Sequence, residues 1–504
     1  MKRFVTLALV SALVLGASSM VYANVCAFDA VPAATILFPF VTLDYNAPTS
    51  GVSTSFSITN VSAEAQVVHV TVWTDFSAAI LDFNILLTGY DVISMNIRDI
   101  FINGQLPVTT YGGHDGPEGV FPNGPVSPDN TTSQATWIAG LMDDPQPTSD
   151  LGTRCNTTNS SYPGLYATPI PAGFLGLFQG YLQVSQTVDR VHSNDCVQPY
   201  GDTYTLAPEP FWVERDTTFP TNMYITADVV ENCNKLFPDA FGYFQNEVRF
   251  DNVLIGDVLW TSPADRFSEG SAAVHLEADL DLANVATIAP TGFPVSFYHR
   301  YSVLTDGVSD FREPLPTAWA FRYLGAGLPT IGTDIRVWKG SSAWNETYDL
   351  ERDGAVSVSP DTLIASNCHA YTYYAWDEDE MVTSVTTVPW SMPGGEAVIP
   401  NLIPLETQQV PVEQFDTPGA FGWMLFVWPA SNYVNAGAGQ QDDFYQTWMG
   451  VRYNAFGDWS AAIDGAVMAN FNCFSDQVLP NLGTNYSYVD EFGYVTSPGG
   501  MPAN

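Results

Sequence analysis

The stretch that decides the fold is STSFSITNVSAEAQVVHVTVW, residues 53–73. In Ser53–Thr59 small polar residues alternate with Phe56 and Ile58. In Gln66–Trp73, Val68, Val70 and Val72 share one face, while His69, Thr71 and Trp73 share the other. A period of two is the signature of a strand. The linking NVSAEA, residues 60–65, is a polar turn. Thr35–Leu43, Asp82–Leu87 and Asp91–Ile97 read the same way, and helical periodicity is scarce along the whole chain. Short strands recurring between turns predict an all-β protein. The expected architecture is two or more antiparallel β-sandwich domains joined by long Gly/Pro/Asn-rich loops.

Working outward, the strand pattern returns late in the chain. FSITNVSAEAQVVHVTVWTD starts at Phe56, and FRYLGAGLPTIGTDIRVWKG starts at Phe321. Both run strand, turn, strand, then Val-Trp. Downstream, GYDVISMNIRDIF at 89–101 has a looser counterpart in ETQQVPVEQF at 406–415. Over about 50–100 and 316–415 this hairpin pattern resembles the immunoglobulin-like sandwiches of secreted bacterial surface proteins. The resemblance implies a fold and, without a motif residue, no particular site.

The chain divides by composition. Residues 1–23 carry Lys2 and Arg3, then an apolar run, then Val21-Tyr22-Ala23, as a secretory signal does. Asn24 at the first mature position is not the cysteine that a lipid anchor needs. A β-sandwich region follows at 24–101. Residues 102–165 are rich in Gly, Pro, Asn and Asp and read as an insertion or linker, with one short helix at 134–145. A middle β-rich region spans 166–312, with strands expected at Gly180–Val188, Met223–Val230, Gly256–Trp260 and Ala272–Leu282. A second sandwich region spans 313–476, and 477–504 is a loosely held tail. No further run reaches the ~18 apolar residues of a membrane helix. The protein is therefore expected outside the cytoplasm, as a periplasmic, cell-surface or extracellular chain.

Charge excludes more than it selects. Of 504 residues 54 are acidic and 16 basic, a formal charge of −38. Beyond the signal only Lys235 and Lys339 are lysines. Nucleic-acid binding needs clustered cations to displace counterions, so it is excluded. Cations, neutral glycans and other surface proteins remain as partners, and self-association is expected once charge is screened. The six cysteines, Cys26, Cys155, Cys196, Cys233, Cys368 and Cys473, fit disulfides in an oxidising compartment.

Two runs could hold a cation. In VHLEADLDL, residues 274–282, His275, Glu277, Asp279 and Asp281 alternate with aliphatic residues. In a strand they would stand on one face about 7 Å apart. Adjacent like charges favour a cation there, and calcium is the hard-oxygen partner. The competing reading is a solvated face balanced by Arg266, Arg300 or Arg312. AWDEDE, residues 375–380, offers Asp377 and Asp379 at a strand end, and equally reads as a polar hairpin tip. The EF-hand pattern is absent. Aromatics are densest in FYQTWMGVRYNAFGDW, residues 444–459, so Trp448, Tyr453 and Trp459 form a candidate binding patch. Trp73 and Trp338, ending strand patterns, read as core.

These features favour a secreted or cell-surface, non-enzymatic protein with a structural, adhesive or binding role, calcium-stabilised if those carboxylates bind. The alternative is a secreted polysaccharide hydrolase, whose two carboxylates would stand about 5 Å apart for retention or about 6.5–9.5 Å for inversion. Glu247, Asp251 and Glu277 are its candidates. There is no G-x-S-x-G, H-E-x-x-H or P-loop to support other chemistries. An outer-membrane β-barrel would need a longer even series of strands with short turns.

Overall fold

The computed structural model describes residues 31–75, 79–106, 220–231, 247–278, 311–312, 315–316, 318–325, 331–340, 369–379, 381–385, 387–392, 395–403, 405–428, 447–455, 460–464, 466–467, 488–489, 495–496 and single positions between 170 and 182 and at 238 and 243. The signal, the 102–165 insertion beyond Leu106 with its expected helix, all six cysteines and most of the tail lie outside the described residues. Leu182 is helical, where Gly180–Val188 was expected to be extended.

In chain order the first elements are β1 (Thr35–Leu43), β2 (Ser53–Asn60), β3 (Gln66–Thr74), β4 (Ala79–Leu87), β5 (Val92–Asn96), the short α1 (Ile97–Phe101), β6 (Thr221–Val230), β7 (Leu254–Ser262), β8 (Phe267–Ala272) and β9 (Val274–Leu276). Then come β10 (Ala318–Leu324), β11 (Gly332–Lys339), β12 (His369–Asp377), β13 (Val382–Val385), β14 (Thr387–Met392), β15 (Gly395–Ile403), β16 (Thr407–Pro411), β17 (Phe421–Val427), β18 (Thr447–Asn454), β19 (Ser460–Asp464) and β20 (Ala466–Val467). The protein is all-β, and every pairing of these strands is antiparallel.

Three sheets carry the fold. The first has the order β4-β3-β6-β1-β2-β7-β8, with β5 on β2 and β9 on β1. The second runs β14-β15-β12-β17-β10-β20, with β13 on β12, and the third runs β16-β11-β18-β19. Strands from the 24–101 and 166–312 regions thus share the first sheet, because β6 is hydrogen-bonded between β1 and β3. The strands of the opening stretch, β2 and β3, are consequently not neighbours. Nor do the two similar stretches pair alike: β5 lies against β2, whereas β16 lies against β11.

Register sorts the first sheet's side chains. One face is apolar across four strands: Ile36 and Phe38, Ala227 and Ile225, Val70 and Val72, Phe83 and Leu81. Each fully buried Val, Ile or Phe there contributes about 1.5–3 kcal/mol. The opposite face sets Thr35, Asp228, His69 and Asn84 in one row and Leu37, Thr226, Thr71 and Asp82 in the next. Both faces are buried in β1, β3 and β6.

One hydrophobic cluster links the three sheets. Trp73 stacks on Tyr224 at 5.6 Å, and Tyr224 meets Trp338 edge-on at 5.9 Å. Trp319 of the second sheet donates its indole N–H to the Thr447 hydroxyl of the third at 2.9 Å. A backbone relay closes the corner between the first and third sheets: Lys339 N–H donates to Glu406 at 2.9 Å, and Glu406 N–H donates to Asp75 at 2.8 Å. Among the described residues no helix is long and apolar enough to cross a membrane.

Candidate functional site

The run 274–282 forms a strand only over Val274–Leu276, ending in an isolated bridge between Ala278 and Arg312. His275 is buried, and its Nε2 accepts the Gly256 N–H at 2.9 Å. A side chain at Gly256 would strike Ile36, so glycine there lets the strands approach closely enough for this bond. Glu277 is half-buried at the end of the strand, and Asp279 and Asp281 lie outside the described residues. At the 375–380 tip, Asp377 Oδ1 accepts the N–H of Asp379 at 3.0 Å and of Met381 at 2.8 Å. That carboxylate closes the turn from β12 to β13, as Asp does in an Asx turn. Among the described residues no group of three or more His, Cys, Asp or Glu stands together as a metal site. Of the hydrolase candidates, Asp251 is held by Arg249 at 2.6 Å.

Of the expected aromatic patch, Trp448 is buried in the core. Tyr453 is half-buried, its hydroxyl donating to the Arg322 carbonyl at 2.6 Å. Trp459 lies outside the described residues. Trp73 and Trp338 are core side chains, as their positions at strand ends implied.

Buried charges concentrate in two networks. On the polar face of the first sheet, Arg312 donates to Asp228 at 2.6 Å and to Thr35 at 3.0 Å. The other Asp228 oxygen accepts the Tyr243 hydroxyl at 2.5 Å. Beside it, His69 Nδ1 stands 2.9 Å from Asn84 and its Nε2 3.4 Å from Asp82. The second network pins the first sheet to the third. Arg336 pairs with Glu269, lies 4.1 Å from the Trp260 ring and reaches Gln409 at 3.2 Å. Arg452 bridges Glu269 at 3.4 Å and Asp334 at 3.3 Å. Burial lowers the Arg336 pKa, and the facing Glu269 carboxylate opposes that shift. Burial likewise raises Asp334, against the pull of Arg452 and Arg336. Arg312, Asp228, Arg336 and Glu269 are inaccessible to substrate. They cross-link strands rather than offer reactive groups.

What the fold leaves open is an aromatic face on the second sheet. Along β17 the inward Gly422, Met424 and Phe426 alternate with outward Phe421 and Trp423, which are 39% and 50% exposed, and with Leu425, where that side is covered again. The inward side is anchored in aromatic packing: Phe426 stacks on Tyr371 at 5.5 Å and on Tyr373 at 5.8 Å. Outward, register sets Trp376 of β12 and Arg322 of β10 on either side of Trp423. Tyr374, two residues from Trp376, stacks on it with centroids 6.0 Å apart and planes 20° apart. Burial raises the Tyr374 pKa, so the phenol stays neutral at ordinary pH. Arg322 binds Glu378 at 2.6 Å, and both are about half exposed, at 49% and 64%. Gly422 makes this geometry feasible. A β-carbon there would run into the Trp376 carbonyl and crowd the Tyr323 hydroxyl.

This face escaped the reading of aromatic density. Its signal was periodic instead: Phe421 and Trp423 lie two apart in FGWMLF, and Tyr374 and Trp376 two apart in YTYYAW. No protein-family model, curated protein or solved structure matches the chain.

Proposed function

We propose that this is an exported, non-enzymatic β-sandwich protein with a binding or adhesive role, and that the outward face of β10, β17 and β12 is its docking surface. The observation that carries the reading is the row Trp376–Trp423–Arg322 with Phe421 beside it. Large aromatics on a sheet face stabilise a fold when covered, and an exposed cluster of them marks an interaction surface. The buried ion pairs fit the same reading, since their role is to hold strands together. The shared core across three sheets supports layered sandwich packing. Disulfides among the six cysteines and a calcium ion at the 274–282 run or the Asp377–Asp379 tip belong to this proposal as staples. Export rests on the Lys2/Arg3 segment and its apolar run.

The test compares the purified protein with Trp423→Ala and with Phe421→Ser/Trp423→Ala on isolated bacterial envelopes and on insoluble polysaccharides. Binding that falls in the variants, at unchanged circular dichroism and melting temperature, is expected. Equal binding by all three proteins overturns the docking assignment. Release of reducing ends from any polysaccharide would move the protein to the hydrolases.

A further inference from the structure

We infer that the ligand of this face is a neutral glycan, laid with its ring faces on Trp376, Trp423 and Phe421 and its hydroxyls toward Arg322 and Glu378. This rests on the docking assignment above and names the chemistry it selects. A sugar ring is amphiphilic: its C–H faces are apolar, and hydroxyls that both donate and accept surround its edge. A matching surface needs a broad, exposed aromatic plane with a donor and an acceptor at its margin. Trp376 and Trp423 are directly opposed on neighbouring strands, which run about 4.8 Å apart. Tyr374, half-buried opposite the buried Leu425, backs Trp376 at 6.0 Å and 20°, so the open face is centred on Trp423 and Phe421. Phe421 extends it along β17, two residues from Trp423. At the margin the exposed Arg322–Glu378 pair supplies a guanidinium donor and a carboxylate acceptor already oriented by each other.

Charge selects among the occupants of such a face. At −38 the protein repels polyanions, so acidic polysaccharides and nucleic acids are poor ligands. A second copy would bring an equal charge against the first. A neutral polyhydroxylated chain meets none of these penalties. Trp indole and Tyr rings lose little conformational freedom on contact, which suits a ligand bound by stacking.

The experiment is affinity electrophoresis of the full mature protein in native gels cast with hydroxyethyl cellulose, galactomannan, soluble starch or dextran, with alginate as the anionic control. Retardation in at least one neutral gel and none in alginate is expected. Trp423→Ala should weaken it about tenfold, and Trp423→Phe should recover part of that loss. Both keep the wild-type melting temperature, because Trp423 lies half in solvent. No retardation in any neutral gel overturns the glycan assignment. If Trp423→Ala nevertheless abolishes binding to envelopes or alters the mass measured by light scattering, the docking surface stands with a different occupant. If retardation is equal in wild type and Trp423→Ala, the sugar binds elsewhere and both assignments fail.

Discussion

Asp228 receives three donors inside the first sheet: Thr35, Arg312 and the Tyr243 hydroxyl. All four groups are buried, so the carboxylate has exchanged water for a full set of charge-assisted bonds. Removing one partner leaves the other charge stranded in a low-dielectric site. Arg312→Met should therefore cost about 3–5 kcal/mol. The double variant Arg312→Met/Asp228→Leu should recover a large share of it. Urea unfolding of the four proteins in a double-mutant cycle measures this, and single losses below about 1 kcal/mol would contradict it. A second residue-level expectation concerns alkali. Burial pushes the Tyr373 hydroxyl from 10.0 up to about 12, and Tyr371 beside it is also raised. A raised folded value means stability is complete below the unfolded pKa near 10 and is lost as pH climbs through the folded value. Tyrosinate absorbance should rise together with loss of β-sheet dichroism between pH 10 and 12. Full titration of a still-folded protein at pH 10 would contradict that.

At the scale of elements, period-two patterns located the strands well. Thr35–Leu43 was delimited to the residue, and β2, β3, β5, β6 and β7 to within a few. Which strand lies beside which was not legible. A two-residue period fixes which side chains share a face, but carries no label for the neighbouring strand. The polar turn after Ser53–Thr59 looked like a hairpin, yet β6 and β1 stand between its two arms. The aromatic face was legible only along single strands, since the opposition of Trp376 and Trp423 depends on β12 pairing with β17. That pairing can be tested through its glycine. Gly422→Ala pushes a methyl into the Trp376 carbonyl and should cost about 1–3 kcal/mol, read from the urea midpoint. A midpoint unchanged from wild type would mean that β12 and β17 are not so closely apposed.

For the molecule as a whole, the charge imbalance has a definite distribution. Five of the described arginines, Arg249, Arg312, Arg322, Arg336 and Arg452, are each committed to an acidic partner, while Arg98 donates to the Gly51 carbonyl. With 16 basic and 54 acidic residues, most acids have no base to meet. Copies repel one another at low ionic strength and approach when the Debye length shrinks to about 8 Å at physiological salt. The scattering mass of the protein should rise with sodium chloride, and at lower concentration with calcium. A mass constant across both titrations would remove self-association from its behaviour.

The insertion of β6 between β1 and β3 also sets an order in time. Thr35 and Asp228 are 193 residues apart, whereas Thr42 and Thr54, bonded in the same sheet, are 12 apart. Closing the longer loop costs about 2.5 kcal/mol more chain entropy. A growing or translocating chain therefore presents β1, β2 and β3 long before the strand that joins them exists. Until Val230 has passed, two apolar strand edges stand open, which is the form most prone to pairing with the wrong partner. Fragments ending before Thr221 should aggregate more readily than fragments that reach past Arg312 and so close the first sheet. In the cell such a chain calls for a holding chaperone through roughly its first half, and closure of its first sheet is gated by synthesis of the middle.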